Sequence, residues 1–189
     1  MRTEEQVVGS SPRQLPIEAT SPVIIALDLG TKLGWSTNKG GTITSGTENF
    51  APGRFEGGGM RYLRFRRWIS STISIIEPEE IVFEECRRHI GTDASHAYGA
   101  FMGQLTAHCE EHHVPYRGIP VGTIKKHICG RGNANKQAVI LAVQKLGFNP
   151  ADDNEADAIA MLLCALEQAQ SGDGPGPSCK TAQSEAKNV

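Results

Sequence analysis

The run Val23-Ile24-Ile25-Ala26-Leu27-Asp28-Leu29-Gly30 places a lone acid directly behind five apolar residues. A strand this continuously apolar is covered on both faces, which makes it a central strand of a layered sheet. Its period of two puts Ile24, Ala26 and Asp28 on one side and Ile25 and Leu27 on the other. A carboxylate at such a strand end either caps the following turn or belongs to a site, because an unpaired buried charge is costly. The other elements decide between these.

Gly34 to Thr37, the turn Asn38-Lys39-Gly40-Gly41 and Thr42 to Thr44 predict a second strand, a turn and a third strand in an antiparallel meander. Tyr62, Phe65, Ile69, Ile73 and Ile76 recur at helical spacing opposite Arg61, Arg64 and Arg67, and Pro78 ends the helix. Ile81-Val82-Phe83 is a short buried strand running into Glu84-Glu85. A long helix through Ala94, Tyr98, Phe101, Leu105 and Cys109 precedes a strand at about 114–119. Two further helices follow at about 135–146 and 154–168, with Ala138, Leu141, Ala142 and Lys145 sharing a side of the first. Five strands interleaved with helices predict an α/β fold, a mixed sheet flanked by helices.

The 189 residues are 39% hydrophobic and 21% charged, enough chain for one core and short for a two-domain ATPase. The folded unit is expected at 22–170, between polar, disordered tails at 1–21 and 171–189. No membrane span and no secretory signal are visible, so the protein is expected in the cytoplasm. Five irregularly spaced cysteines do not suggest a disulfide framework. His108 and His112 lie four apart, a spacing zinc accepts, but no CxxC or second ligand pair accompanies them, and the expectation is a helix face near an interface.

Charge is segregated along the chain. From His112 to Ala151 there is no acid, while Arg117, Lys125, Lys126, Arg131, Lys136 and Lys145 fall there, and Arg54, Arg61, Arg64, Arg66 and Arg67 crowd another span. Positive surface beside clustered carboxylates suits a protein that holds a polyanion and cuts it with metal. Val82 and Glu84 share a strand side, so Asp28 and Glu84 emerge together if their strands pair. Asp153 and Asp157 lie within about 40° on a helix, with Glu155 roughly opposite Asp153. Converging acids repel one another without divalent cations, and hard oxygen donors favour Mg²⁺ or Mn²⁺, two ions sufficing for phosphodiester hydrolysis. The structural alternatives are a turn cap at Asp28, a solvent contact at Glu84 and a helix N-cap at Asp153.

Two groups of proteins use an Asp-x-Gly turn after an apolar strand: metal-dependent nucleases of the ribonuclease H-like fold, and actin-like nucleotide-binding ATPases, which Asp28-Leu29-Gly30-Thr31 also resembles. Ile25 to Gly30 with Gly34-Trp35, then Ile81 to Glu84, the basic stretch Lys125 to Lys136 with its G-x-G-x-x-x-K frame, and the acidic helix Asp153 to Ala160 together resemble the RuvC family of Holliday-junction resolvases. The resemblance implies a ribonuclease H-like fold and a homodimeric, Mg²⁺-dependent crossover junction endonuclease that nicks opposed strands symmetrically, with no nucleotide cofactor. It makes Asp28, Glu84 and Asp157 metal ligands and sets Lys125 and Lys136 near the scissile phosphate. Lys126 and Arg131, with Arg87, Arg88 and His89 after the second acid, become DNA contacts. Two departures stand out: Asn154 occupies a position usually held by an acid or histidine, leaving Asp153 or Asn154 to complete the metal set, and the loop after Glu84 lacks the usual wedging aromatic. A flap, fork or RNA-DNA hybrid nuclease of the same fold, and a DNA-binding module without catalysis, remain alternatives.

Overall fold

The computed structural model describes residues 21–85 and 91–172; nearly all of the two expected tails lies outside that range. At the centre is β1 (Ile24–Asp28), its first four residues buried. On one side β2 (Lys32–Thr37) pairs with it antiparallel, Ala26 opposite Ser36, and β3 (Thr44–Asn49) pairs antiparallel with β2. On the other side β4 (Glu80–Glu85) and β5 (Tyr116–Pro120) continue the sheet in parallel. The order β3-β2-β1-β4-β5 is the expected mixed five-stranded sheet.

The third strand differs from its expected place at Thr42 to Thr44, beginning at Thr44 and running to Asn49. Its segment Thr-Ser-Gly-Thr-Glu-Asn has no apolar alternation, because an edge strand with no buried residue leaves no such trace. Gly40 and Gly41, with φ of 75° and 76°, turn the chain and displace the start of pairing to Thr37 opposite Thr44.

Among the described residues five α-helices cover the sheet: α1 (Met60–Ile76), α2 (Thr92–Glu111), α3 (Val121–Cys129), α4 (Lys136–Lys145) and α5 (Asp153–Ser171). Ahead of Pro78, α1 stops where Glu77 turns left-handed (φ 52°) and its N–H donates to the Ile73 carbonyl. The sequence reading did not anticipate α3, a nine-residue helix with one buried side chain, Ile124, too few to set a period. In α4 the buried side is Val139 and Val143; Leu141 is exposed.

Ile24, Ala26, Val82 and Ile119 face α3, α4 and α5, whereas Ile25, Leu27, Ile81 and Phe83 face α1 and α2. The expected period-two division of β1 is therefore observed. On α2 the side that carries Tyr98, Phe101 and Leu105 is turned inward. Phe101 and Leu105 are wholly buried, Phe101 edge-on to Phe65 at 5.2 Å and to Tyr62 at 5.1 Å, and the Tyr98 hydroxyl donates to the Glu84 carbonyl at 2.7 Å. The aromatic side of α1 already covers that face.

Two contacts fix where α5 sits. Gly34 on β2 lies so close to the helix start that a Cβ there would come 1.9 Å from the Asn154 carbonyl oxygen. Two residues on, the buried Ser36 hydroxyl donates to the Ala158 carbonyl at 2.8 Å. At the other end of β1, the buried Asn38 amide accepts from the Ile24 N–H and donates to the Pro22 carbonyl, both at 2.8 Å.

Candidate active site

β1 and β4 run in parallel with Ala26 beside Val82 and Leu27 beside Phe83, so Asp28 and Glu84 are the next step of the same ladder, on the α5 side of the sheet. Over them comes the first turn of α5. Its N-cap is Asp152, whose carboxylate accepts from the Glu155 N–H at 2.9 Å and the Thr47 hydroxyl at 2.8 Å and pairs with Lys32 at 3.0 Å. The capping role considered for Asp153 therefore belongs to its neighbour. Asp152-x-x-Glu155 is a capping signature, and it was legible but overlooked. Released from capping, Asp153 is the first helical residue and takes a hydrogen bond from the Lys136 ammonium. Glu155 turns away, accepting from Ser45 and the Ala151 N–H, both at 2.7 Å, which ties the helix start to β3.

Asp28, Glu84, Asp153 and Asp157 form one electrostatic cluster with Lys125 and Lys136. Burial, then repulsion from Glu84 and Asp157, hold the Asp28 carboxyl well above the usual carboxylate range, Lys136 opposing and Asp153 adding to the rise. Asp157 is pushed up to about 6, by burial first and Glu84 next, against the pull of Lys136 and Lys125. Asp153 is held below its ordinary value by the hydrogen bond from Lys136, and the same bond raises the lysine.

The basic stretch is built by α3, a turn and α4. Gly130 takes the left-handed cap of α3 (φ 75°), and a Cβ at Gly132 would meet the Gly122 carbonyl oxygen at 3.0 Å. The G-x-G frame thus folds the turn back on the helix, and Asn135 caps α4 by accepting the Ala138 N–H, setting Lys136 at its first position. Lys126 and Arg131 are exposed. Arg117 does not belong to this surface: it is buried, paired with Glu80 at 2.9 Å and donating to Gln168 at 2.7 Å. A charge census along the sequence could not separate that internal arginine from its exposed neighbours. The α1 side is also partly neutralised, Arg64 pairing with Glu56 at 2.6 Å. Arg87, Arg88 and His89 lie outside the described residues.

Asn154 sits between Asp153 and Glu155, and its backbone carbonyl is the atom pressed against Gly34. The contribution sequence reading missed is that of Gly34 and Ser36, which carry no chemistry and hold the acidic helix at its height. Gly34 within an apolar strand was the available signal.

No family model matches the chain. Among curated proteins it is 33% identical over 109 residues to the crossover junction endodeoxyribonuclease RuvC of Chlamydia trachomatis, covering 55% of this chain and 64% of the relative. It is 28% identical over 110 residues to that of Chlamydia felis, covering 56% and 66%. The match thus spans just under two thirds of these relatives' length. In fold it superposes on Thermus thermophilus RuvC solved in complex with Holliday junction substrate, with a TM-score of 0.69 at 23% identity over 82% of this chain and 99% of the other. The yeast mitochondrial Holliday junction resolvase gives 0.55 at 14% identity. In sequence the chain is similar to RuvC proteins over just under two thirds of their length, and its five-stranded fold is like that of Thermus thermophilus RuvC.

Proposed function

We propose that the chain is a divalent-metal-dependent endonuclease that resolves four-way DNA junctions, acting as a homodimer that nicks two opposed strands. The observation that carries this is the gathering of Asp28, Glu84, Asp153 and Asp157, from β1, β4 and α5, beside Lys125 and Lys136. A set of carboxylates whose mutual repulsion and burial push two of them toward the protonated form is a set suited to a cation, and all-oxygen donors suit Mg²⁺ or Mn²⁺. Asp28, Glu84, Asp157 and Asp153 would hold the metal. Bound there, it supplies the positive charge that activates a water molecule and stabilises the oxygen leaving a phosphodiester.

The chain's own residues do the rest. Lys136 and Lys125 bring positive charge to the edge of the acidic cluster, where a phosphate carrying developing negative charge is stabilised. Lys126 and Arg131, exposed on and just after α3, track the phosphate backbone, joined by Arg87, Arg88 and His89 after the second acid. One small domain with one such centre cuts one strand, so paired incision calls for two copies related by a two-fold axis.

Cleavage of a labelled four-way junction in Mg²⁺, with ATP hydrolysis measured alongside, tests the reading. Asp28→Asn or Glu84→Gln abolishes nicking and leaves junction binding within a few-fold, since binding comes from phosphate contacts elsewhere. Undiminished nicking by Asp28→Asn, or ATP turnover in place of cleavage, overturns it. Asp153 rather than Asn154 completes the metal set, because it brings a charge and Asn154 only a neutral carbonyl. Asp153→Asn therefore slows cleavage far more than Asn154→Ala, with excess Mg²⁺ restoring part of the rate.

A further inference from the structure

We propose that the last turn of α2 is a second metal site, formed by His108, Glu111 and His112 and suited to Zn²⁺ rather than Mg²⁺. At i, i+3 and i+4 the three side chains share one helical face, and their donor atoms all lie within 4.8 Å of one another. The imidazole rings of His108 and His112 are 4.2 Å apart, and Glu111 reaches 3.9 Å from Nδ1 of His108. His108 is only 6% exposed, yet neither of its ring nitrogens has a hydrogen-bond partner. A buried imidazole with both nitrogens unsatisfied is rare and costs free energy, and a metal bond to one of them removes part of that cost.

The surroundings fit the same reading. His108, Glu111 and His112 line a surface cavity of about 460 Å³, whose other wall is α1, including Arg66, Ser70 and Ser71. Two imidazoles and one carboxylate are the donors of a borderline cation, and three protein ligands leave a fourth position open toward the cavity. Arg66, on the cavity wall, lies 3.9 Å from Glu111. The site is separate from the acidic cluster. Tyr98, which touches the Glu84 carbonyl, precedes His108 by ten residues, roughly 15 Å along the helix axis. All three ligands lie on one turn, so bound metal fastens the end of α2 just before the chain enters β5.

The test uses the full chain in excess Mg²⁺ to fill the carboxylates, titrated with Co²⁺ as a spectroscopic stand-in for Zn²⁺. One equivalent binds with the visible bands of nitrogen and oxygen ligation, without a thiolate charge-transfer band, and Zn²⁺ displaces it. His112→Gln and Glu111→Gln, both at exposed positions, weaken binding by roughly 100-fold or more, given that even outer-shell changes cost ~10–100-fold. Both variants keep the wild-type circular dichroism and junction cleavage. A thiolate band, displacement by Mg²⁺ in proportion to its concentration, unaltered binding in His112→Gln, or no binding at all overturns the proposal.

Discussion

The two faces of the sheet are built from different materials. Against α1 and α2 the core is aromatic: Phe50, Phe65 and Phe101 meet edge-on or tilted at 5.2–6.1 Å, with Tyr62 and Trp68 around them. Against α5 it is aliphatic and small, with Ala26, Ala160 and Ala165 beside Ile159 and Leu162. Large rings bury much apolar area and tolerate some adjustment, and they lie on the face that carries none of the acids. Small residues let a helix approach closely and leave it little room to shift, and the acids are on that face. Stability and placement are thus divided between two halves of one sheet.

Three substitutions sharpen that division. Phe65→Ala, at the centre of the aromatic face, costs about 3–5 kcal/mol by urea denaturation. Cleavage per folded molecule stays near wild type, and a collapse of turnover in the folded fraction would mean that the aromatic face also sets the site. Gly34→Ala has the reverse signature: its methyl cannot coexist with the Asn154 carbonyl at 1.9 Å, so α5 shifts and cleavage falls by ~100-fold. The accompanying stability loss is smaller, about 1–3 kcal/mol, and junction nicking beside a melt separates the two. The smallest effect is a gain. An acid raised from 3.8 to about 6 by folding binds more protons folded than unfolded in that window, so its contribution to stability falls as pH rises through it. Metal-free Asp157→Asn is therefore more stable than wild type at pH 7 by on the order of 1–2 kcal/mol. The difference vanishes below pH 4 in paired thermal melts, while the variant no longer cleaves.

Legibility in the sequence followed the same division. Apolar runs and periodicity located β1, α1, α2 and α5, because β1 and α5 are buried on nearly every side and α1 and α2 each bury one stripe. They failed at β3 and α3, one with no buried residue and the other with one. The acids at 28, 84, 153 and 157 were legible because a charge at the end of a buried strand or on the sheet side of a helix is an exception needing a reason. Arg117 was misread for the complementary reason. Its partners, Glu80 and Gln168, lie 37 and 51 residues away, and nothing local announces an internal ion pair.

The Asn38 amide that clips the start of β1 has a consequence unrelated to strength. Asp28 lies four residues beyond the clipped Ile24, and a strand alternates its faces at every residue. Were β1 to slip by one position during folding, Asp28 would turn toward the rings of α1 and Leu27 would enter the acidic cluster. Both pairings offer nearly as many backbone hydrogen bonds, so the ladder alone discriminates weakly between them. The two hydrogen bonds of Asn38, to Ile24 and to Pro22, anchor the strand start where it lies, and the cost of setting Asp28 among rings and Leu27 among carboxylates rejects the slipped alignment, so the first acid itself keeps count of the register.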